Sequence, residues 1–111
     1  LVLLGVGEDG HTASLFPHSP LLKKQGGICF ADRHPTDGSE RVTLSADALF
    51  GARRVAFLVK GEGKAEIVRE VLEGAGDVDT YPANLYRRAS GQITWFIDSG
   101  AALKLAPERA G

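Results

Sequence analysis

A chain of 111 residues, 43% hydrophobic and with a net charge of −1, has the size of one small domain and no electrostatic case for binding nucleic acid or an anionic membrane. No apolar run approaches the ~20 residues that span a bilayer and no secretory signal is visible, so a cytoplasmic setting is expected. The single cysteine, Cys29, excludes an intrachain disulfide and a cysteine metal cluster, and within Gly-Ile-Cys-Phe-Ala it reads as a small buried hydrophobe.

Residues 1–6 form the first predicted strand, apolar in the manner of a strand covered on both faces. Because the chain opens on Leu1, already inside such a strand, the expectation is that it begins in mid-domain with an upstream portion missing. Residues 10–16 read as a short helical turn stopped by Pro17, and 18–27 as a loop with a helical turn around 21–25. A second strand is predicted over 27–31, then a polar loop over 33–40 with Pro35 and Asp37-Gly38. Residues 41–44 make a short strand, and Ser45 is a suitable N-cap for a turn over 46–52. Residues 54–59 are a strong strand. The clearest helix runs from 62 or 63 to 73, since Ala65, Val68, Val71 and Leu72 share one face and Gly74 stands at the C-cap. Residues 81–86 read as a short helix with Pro82 in its first turn, and 92–97 as the last strand. A final helix is expected over 99–105, followed by a disordered tail at 107–111. This alternation predicts an α/β fold: an open, mostly parallel sheet flanked by helices.

In such sheets ligands bind at the carboxyl ends of the strands. The first of these ends reads Gly5-Val6-Gly7-Glu8-Asp9-Gly10-His11-Thr12-Ala13-Ser14-Leu15-Phe16-Pro17. Gly5, Gly7 and Gly10 match a dinucleotide fingerprint, with Asp32 placed as a ribose-binding acid. Three features oppose that reading. Pro17 and Pro20 end the helix that should meet a pyrophosphate, Glu8 and Asp9 would set carboxylates beside a dianion, and His11 and Thr12 are bulky where close packing is needed. The other reading is a catalytic loop. Asp9 and His11 straddle Gly10, and a carboxylate beside an imidazole can orient it and stabilise its protonated form. Such a histidine suits general-base activation of water, although Asp-x-His also occurs in loops as a purely structural pair.

The segment from Gly5 to Pro17 resembles the signature of the 6-phosphogluconolactonase family, G-x-G-x-D-G-H-T-A-S-L-F-P. Glu40-Arg41-Val42-Thr43-Leu44 resembles its E-R-[IV]-T-L block, and the stretch from Val55 to Ala65 its strand–turn–helix G-x-x-K-A element. Tyr81-Pro82-Ala83 and Thr94-Trp95-Phe96-Ile97-Asp98 resemble its closing elements. The likeness spans nearly the whole chain in the family's order. It implies a Rossmann-like fold incomplete at its N-terminus, with residues 1–106 as the C-terminal part of a single domain. The family's N-terminal glycine-rich phosphate loop has no counterpart here.

The resemblance further implies hydrolysis of 6-phosphoglucono-1,5-lactone to 6-phosphogluconate in the oxidative pentose phosphate pathway, with no metal or organic cofactor. The implied partner is a small sugar phosphate. His11 would deprotonate water and return the proton to the leaving ring oxygen, and Asp9 would orient it or bind a sugar hydroxyl. Gly7, Gly10 and N–H groups of the turn at Thr12 could hold the oxyanion, or simply make a tight turn. Lys64 stands near a helix N-terminus, where a cation is disfavoured unless an anion binds beside it, and the resemblance assigns it to the substrate phosphate. Arg41 could reach the phosphate or make a structural ion pair. His18 and His34 are expected at the surface and Trp95 in the core. The related glucosamine-6-phosphate deaminases place a glutamate five residues after the loop histidine, where this chain has Phe16, and a non-catalytic sugar-phosphate sensor of the same fold is a third reading. The 111 residues alone are expected to be inactive.

Overall fold

The computed structural model describes residues 1–107. Positions 108–111 of the expected tail lie outside the described residues. In chain order the strands are β1 (Val2–Leu4), β2 (Cys29–Arg33), β3 (Glu40–Leu44), β4 (Arg54–Val59) and β5 (Gln92–Ile97). The α-helices are α1 (Ala46–Phe50) and α2 (Ala65–Glu73). Short 3₁₀ turns cover Pro20–Lys23, Glu62–Lys64 and Pro82–Arg88.

β1, β4 and β5 form a parallel three-stranded sheet in that order. The register sets Val2 beside Val55, Leu4 beside Phe57, Phe57 beside Trp95 and Val59 beside Ile97, so these side chains share one face. That face carries the core. Leu49 and Phe50 of α1, Ile67, Val68 and Val71 of α2, and Ala83 and Leu85 all pack into it. Phe57 is fully buried at its centre, and burying a side chain of that size stabilises the fold by about 1.5–3 kcal/mol. Its ring lies nearly parallel to that of Trp95 at 4.1 Å, with Tyr86 edge-on to both. Trp95 packs against the core from the edge strand and is only half-buried. The other face of the sheet leaves Leu3, Leu58 and Phe96 exposed.

The helix read over 62–73 divides in two. A 3₁₀ turn with Lys64 at its end leads into the regular helix α2. Ser45 caps α1 by accepting from Ala48 N–H at 3.0 Å, and its own hydroxyl donates to the Gly27 carbonyl at 2.8 Å.

Four sequence expectations are corrected. β2 and β3 do not join the parallel sheet but pair antiparallel as a separate hairpin. Cys29 therefore lies exposed on the outer face of a two-stranded ribbon rather than buried in a sheet. Residues 10–16 form no helical turn, because Ala13 takes a positive φ of 50° and Ser14 N–H bonds to the Thr43 hydroxyl instead of a helical carbonyl. Residues 99–105 form successive turns rather than a helix, since Leu103 and Leu105 bond three residues back while Ala102 bonds four back.

Candidate active site

The loop after β1 closes on itself. Gly7 N–H donates to the His11 carbonyl at 2.9 Å, and Gly10 N–H donates to the Gly7 carbonyl at 2.9 Å. This small ring of bonds brings the Asp9 carboxylate under the imidazole. One oxygen, Oδ1, accepts from His11 N–H at 3.0 Å and lies 2.5 Å from His11 Nδ1. Burial acts to raise the Asp9 pKa, but the two hydrogen bonds from His11 and the charge of its ring outweigh it and hold the carboxyl below its ordinary range.

Two glycines are required by close approach. A Cβ on Gly7 would stand 2.2 Å from His11 Cε1 and 2.3 Å from Nδ1, so the imidazole occupies the space that a side chain would fill. Gly10 has a φ of 89°, and its missing side chain admits Tyr81, whose Cα would lie 2.9 Å from a Cβ there. Gly10 also accepts from Ala83 N–H at 2.8 Å, so the segment after Asp77 braces the loop from behind.

Lys64 faces the loop from the turn before α2. Its Nζ donates to the Val6 carbonyl at 2.6 Å, which brings the ammonium to the carboxyl end of β1. That turn is fixed by Asp98 at the end of β5, which accepts from Gly61 N–H at 3.0 Å and Ala101 N–H at 2.9 Å. These backbone donors, Ala101 first, hold the Asp98 pKa below its ordinary range. Between loop and turn opens a cleft of about 410 Å³ lined by Gly5, Val6, Gly7, His11, Ala13 and Lys64. A second cleft of about 410 Å³, between Leu22, Phe50, Leu85 and Arg88, contains no histidine.

Of the residues singled out in the sequence, His11, Asp9, Gly7 and Lys64 come together here. Gly10 sits behind the loop against Tyr81. The N–H groups of Gly7 and Gly10, considered above for an oxyanion, are both spent inside the loop. Thr12 is buried, and its hydroxyl donates to the Gly5 carbonyl at 2.8 Å, so it ties down the loop rather than facing the cleft. Arg41 stands on the hairpin with its guanidinium on the Ser39 hydroxyl at 3.1 Å and does not line the cleft. Among the described residues, no group of three or more histidine, cysteine, aspartate or glutamate side chains is placed to hold a metal ion. No helix among them is long and apolar enough to cross a membrane.

Three contributors were given no site role from the sequence. Thr43 anchors Ser14 by accepting its N–H at 3.2 Å. Phe16, buried, lays its ring 5.2 Å from that of His11. Asp98 fixes the Lys64 turn. For Asp98 a signal existed in the sequence, an acid directly after an apolar strand and facing a glycine turn. For Thr43 and Phe16 the contact is long-range or depends on the loop's shape, so spacing could not reveal it.

Residues 1–95 match the family model for glucosamine-6-phosphate isomerases/6-phosphogluconolactonase. The chain belongs to this family. The 6-phosphogluconolactonase of Bos taurus is 42% identical over 103 residues, covering 92% of this chain and 40% of its own length, and that of Homo sapiens matches to the same extent. Among solved structures, 6-phosphogluconolactonase from Trypanosoma brucei is 33% identical with a TM-score of 0.82, covering 95% of this chain and 41% of that one. A monomeric glucosamine-6-phosphate deaminase, 24% identical with a TM-score of 0.73, shares the fold and covers 91% of this chain and 46% of that one. The chain thus spans about 40% of the length of the curated family members it matches.

Proposed function

We propose that this chain carries the water-activating part of a 6-phosphogluconolactonase site, and that residues 1–106 are the C-terminal part of one α/β domain. The observation that carries the reading is the doubly held Asp9 carboxylate against His11, across a cleft from Lys64. An ionised Asp9 accepts the proton on Nδ1, which leaves Nε2 of the imidazole as the basic nitrogen. Nε2 takes a proton from water as the water oxygen bonds to the lactone carbonyl carbon. The carbonyl electrons move onto oxygen, giving a tetrahedral oxyanion. As that oxyanion collapses, the bond to the ring oxygen breaks and His11 returns the proton to it, giving 6-phosphogluconate. Asp9 steadies the imidazolium between the two steps. Lys64 supplies positive charge for the anionic substrate, its first choice being the phosphate.

Phe16 favours lactone hydrolysis over the amino-sugar chemistry of the same family. A buried apolar ring packed on His11 occupies the position where the deaminase reading needs a carboxylate. The reading includes a cytosolic setting. The test is hydrolysis of fresh 6-phosphogluconolactone by the complete protein, with the spontaneous rate subtracted. His11→Ala is expected to lower kcat by about 10²-fold or more, as for loss of a general base. A wild-type protein no faster than the blank overturns the proposal.

A further inference from the structure

Besides the Thr43 hydroxyl, the hairpin reaches the candidate site through a ring. His34, at the end of β2, places its imidazole 4.9 Å from the Phe16 ring at an interplanar angle of 63°, and Phe16 in turn lies 5.2 Å from His11 at 48°. His34 is itself firmly held. Its N–H donates to the Ser39 carbonyl at 2.9 Å, its carbonyl accepts from Gly38 N–H at 3.0 Å, and its Nδ1 accepts from Thr36 N–H at 3.1 Å. Phe16 is only 3% exposed, so it is enclosed between a fixed ring on the hairpin and the imidazole of the loop.

That enclosure adds a second support to the one Asp9 provides. The His11 ring is attached at Cγ and bonded at Nδ1, so Asp9 sets its angle as tightly as one hydrogen bond to a half-exposed carboxylate can. His11 is itself about one-third exposed. The Phe16 ring limits the remaining swing from its own side, and His34 backs Phe16. His34 does not line the cleft, and its Nδ1 is engaged in its own turn.

We propose that His34 is a positioning residue: acting through Phe16, it fixes the angle of the His11 imidazole and so makes the β2–β3 hairpin part of the site's support. The kinetic consequence rests on the lactonase reading; the structural one does not. Two variants of the complete protein separate ring from hydrogen bond. His34→Asn keeps an acceptor for the turn and removes the ring. His34→Phe keeps the ring and removes the acceptor. Each is followed by the imidazole NMR signals of His11 in the resting protein and by kcat and KM on 6-phosphogluconolactone.

His34→Asn is expected to move or broaden the His11 signals and to lower kcat by about three- to tenfold, the loss of one ring contact, with KM unchanged. His34→Phe is expected to return both readouts toward wild type. The proposal is overturned if His34→Asn leaves either readout as in wild type, if His34→Phe is as impaired as His34→Asn, or if the change falls in KM, which would mark a direct substrate contact. Should the wild-type protein fail to hydrolyse the lactone, the functional reading falls and the His11 signals alone decide whether His34 acts on that ring.

Discussion

A single missing methyl group shapes the candidate base. The His11 ring lies where a Cβ on Gly7 would be, with 2.2 Å between them. Gly7→Ala must therefore push the imidazole off Asp9 or reshape the loop. Because Gly7 is in a loop and not in the sheet, the expected outcome is a thermal midpoint within a few degrees of wild type and a kcat lowered by about 10²-fold, as for removal of the base itself. Thermal melts run alongside lactone assays separate the two. Asp9 makes a second claim that reads out in pH. Its folded pKa lies below the ordinary 3.8, so the native state binds the proton less tightly than the unfolded chain. Its stabilisation is present in full above 3.8 and is lost as pH falls through the depressed folded value. Asp9→Asn removes that term. Its melting temperature is expected to fall below wild type at neutral pH, and the gap to close in acid below the folded value. A gap that stays constant with pH would show that the carboxylate's charge contributes nothing.

At the scale of elements, the loop and hairpin meet through Thr43, whose hydroxyl accepts from Ser14 N–H and donates to the Leu44 carbonyl at 2.9 Å. Thr43 is buried, so Thr43→Val keeps the shape but leaves Ser14 N–H without its acceptor. Ser14 N–H is only part-buried, so water can replace some of that bond, and urea unfolding of the complete protein is expected to show a loss near the lower end of the roughly 1–3 kcal/mol that a fully buried unmade donor costs. This joint also shows what the sequence could and could not convey. β4 and β5 were readable to the residue, and α1 and α2 within two or three, because apolar periodicity and the Ser45 cap are local signals. The Asp9–His11 pair and Lys64 were readable because the resemblance covered those positions. The hairpin's pairing was not, since two short apolar runs separated by a polar loop suit either a ribbon or two strands of a parallel sheet. Nor was the conformation of residues 10–16. Local spacing suggested a helical turn, and a side chain 29 positions away, Thr43, took the N–H that such a turn would have used. Cys29 was misread for the same reason: its burial depended on which sheet the strand joined.

For the whole molecule, the two faces of the central sheet differ. One is filled by Phe57, Val59 and the helices; the other presents Leu3, Leu58 and Phe96 at 62%, 55% and 57% exposure, from three adjacent strands. The register sets Leu58 directly beside Phe96, so the patch is contiguous across at least those two strands. Contiguous apolar surface of this kind drives association, because covering it releases water at about 25 cal/mol per Å². Isolated as 111 residues, the chain is therefore expected to sediment above its 11.8 kDa monomer mass at micromolar concentration. Leu58→Thr with Phe96→Thr keeps the β-branched preference of strands while making both positions polar. The double variant is expected to shift the isolated chain toward monomer with its far-ultraviolet spectrum unchanged. Sedimentation velocity on both forms decides the matter. If the double variant associates as strongly as wild type, the exposed sheet face is not the surface responsible, and the exposed hairpin residues Ile28, Val42 and Leu44 become the next place to substitute.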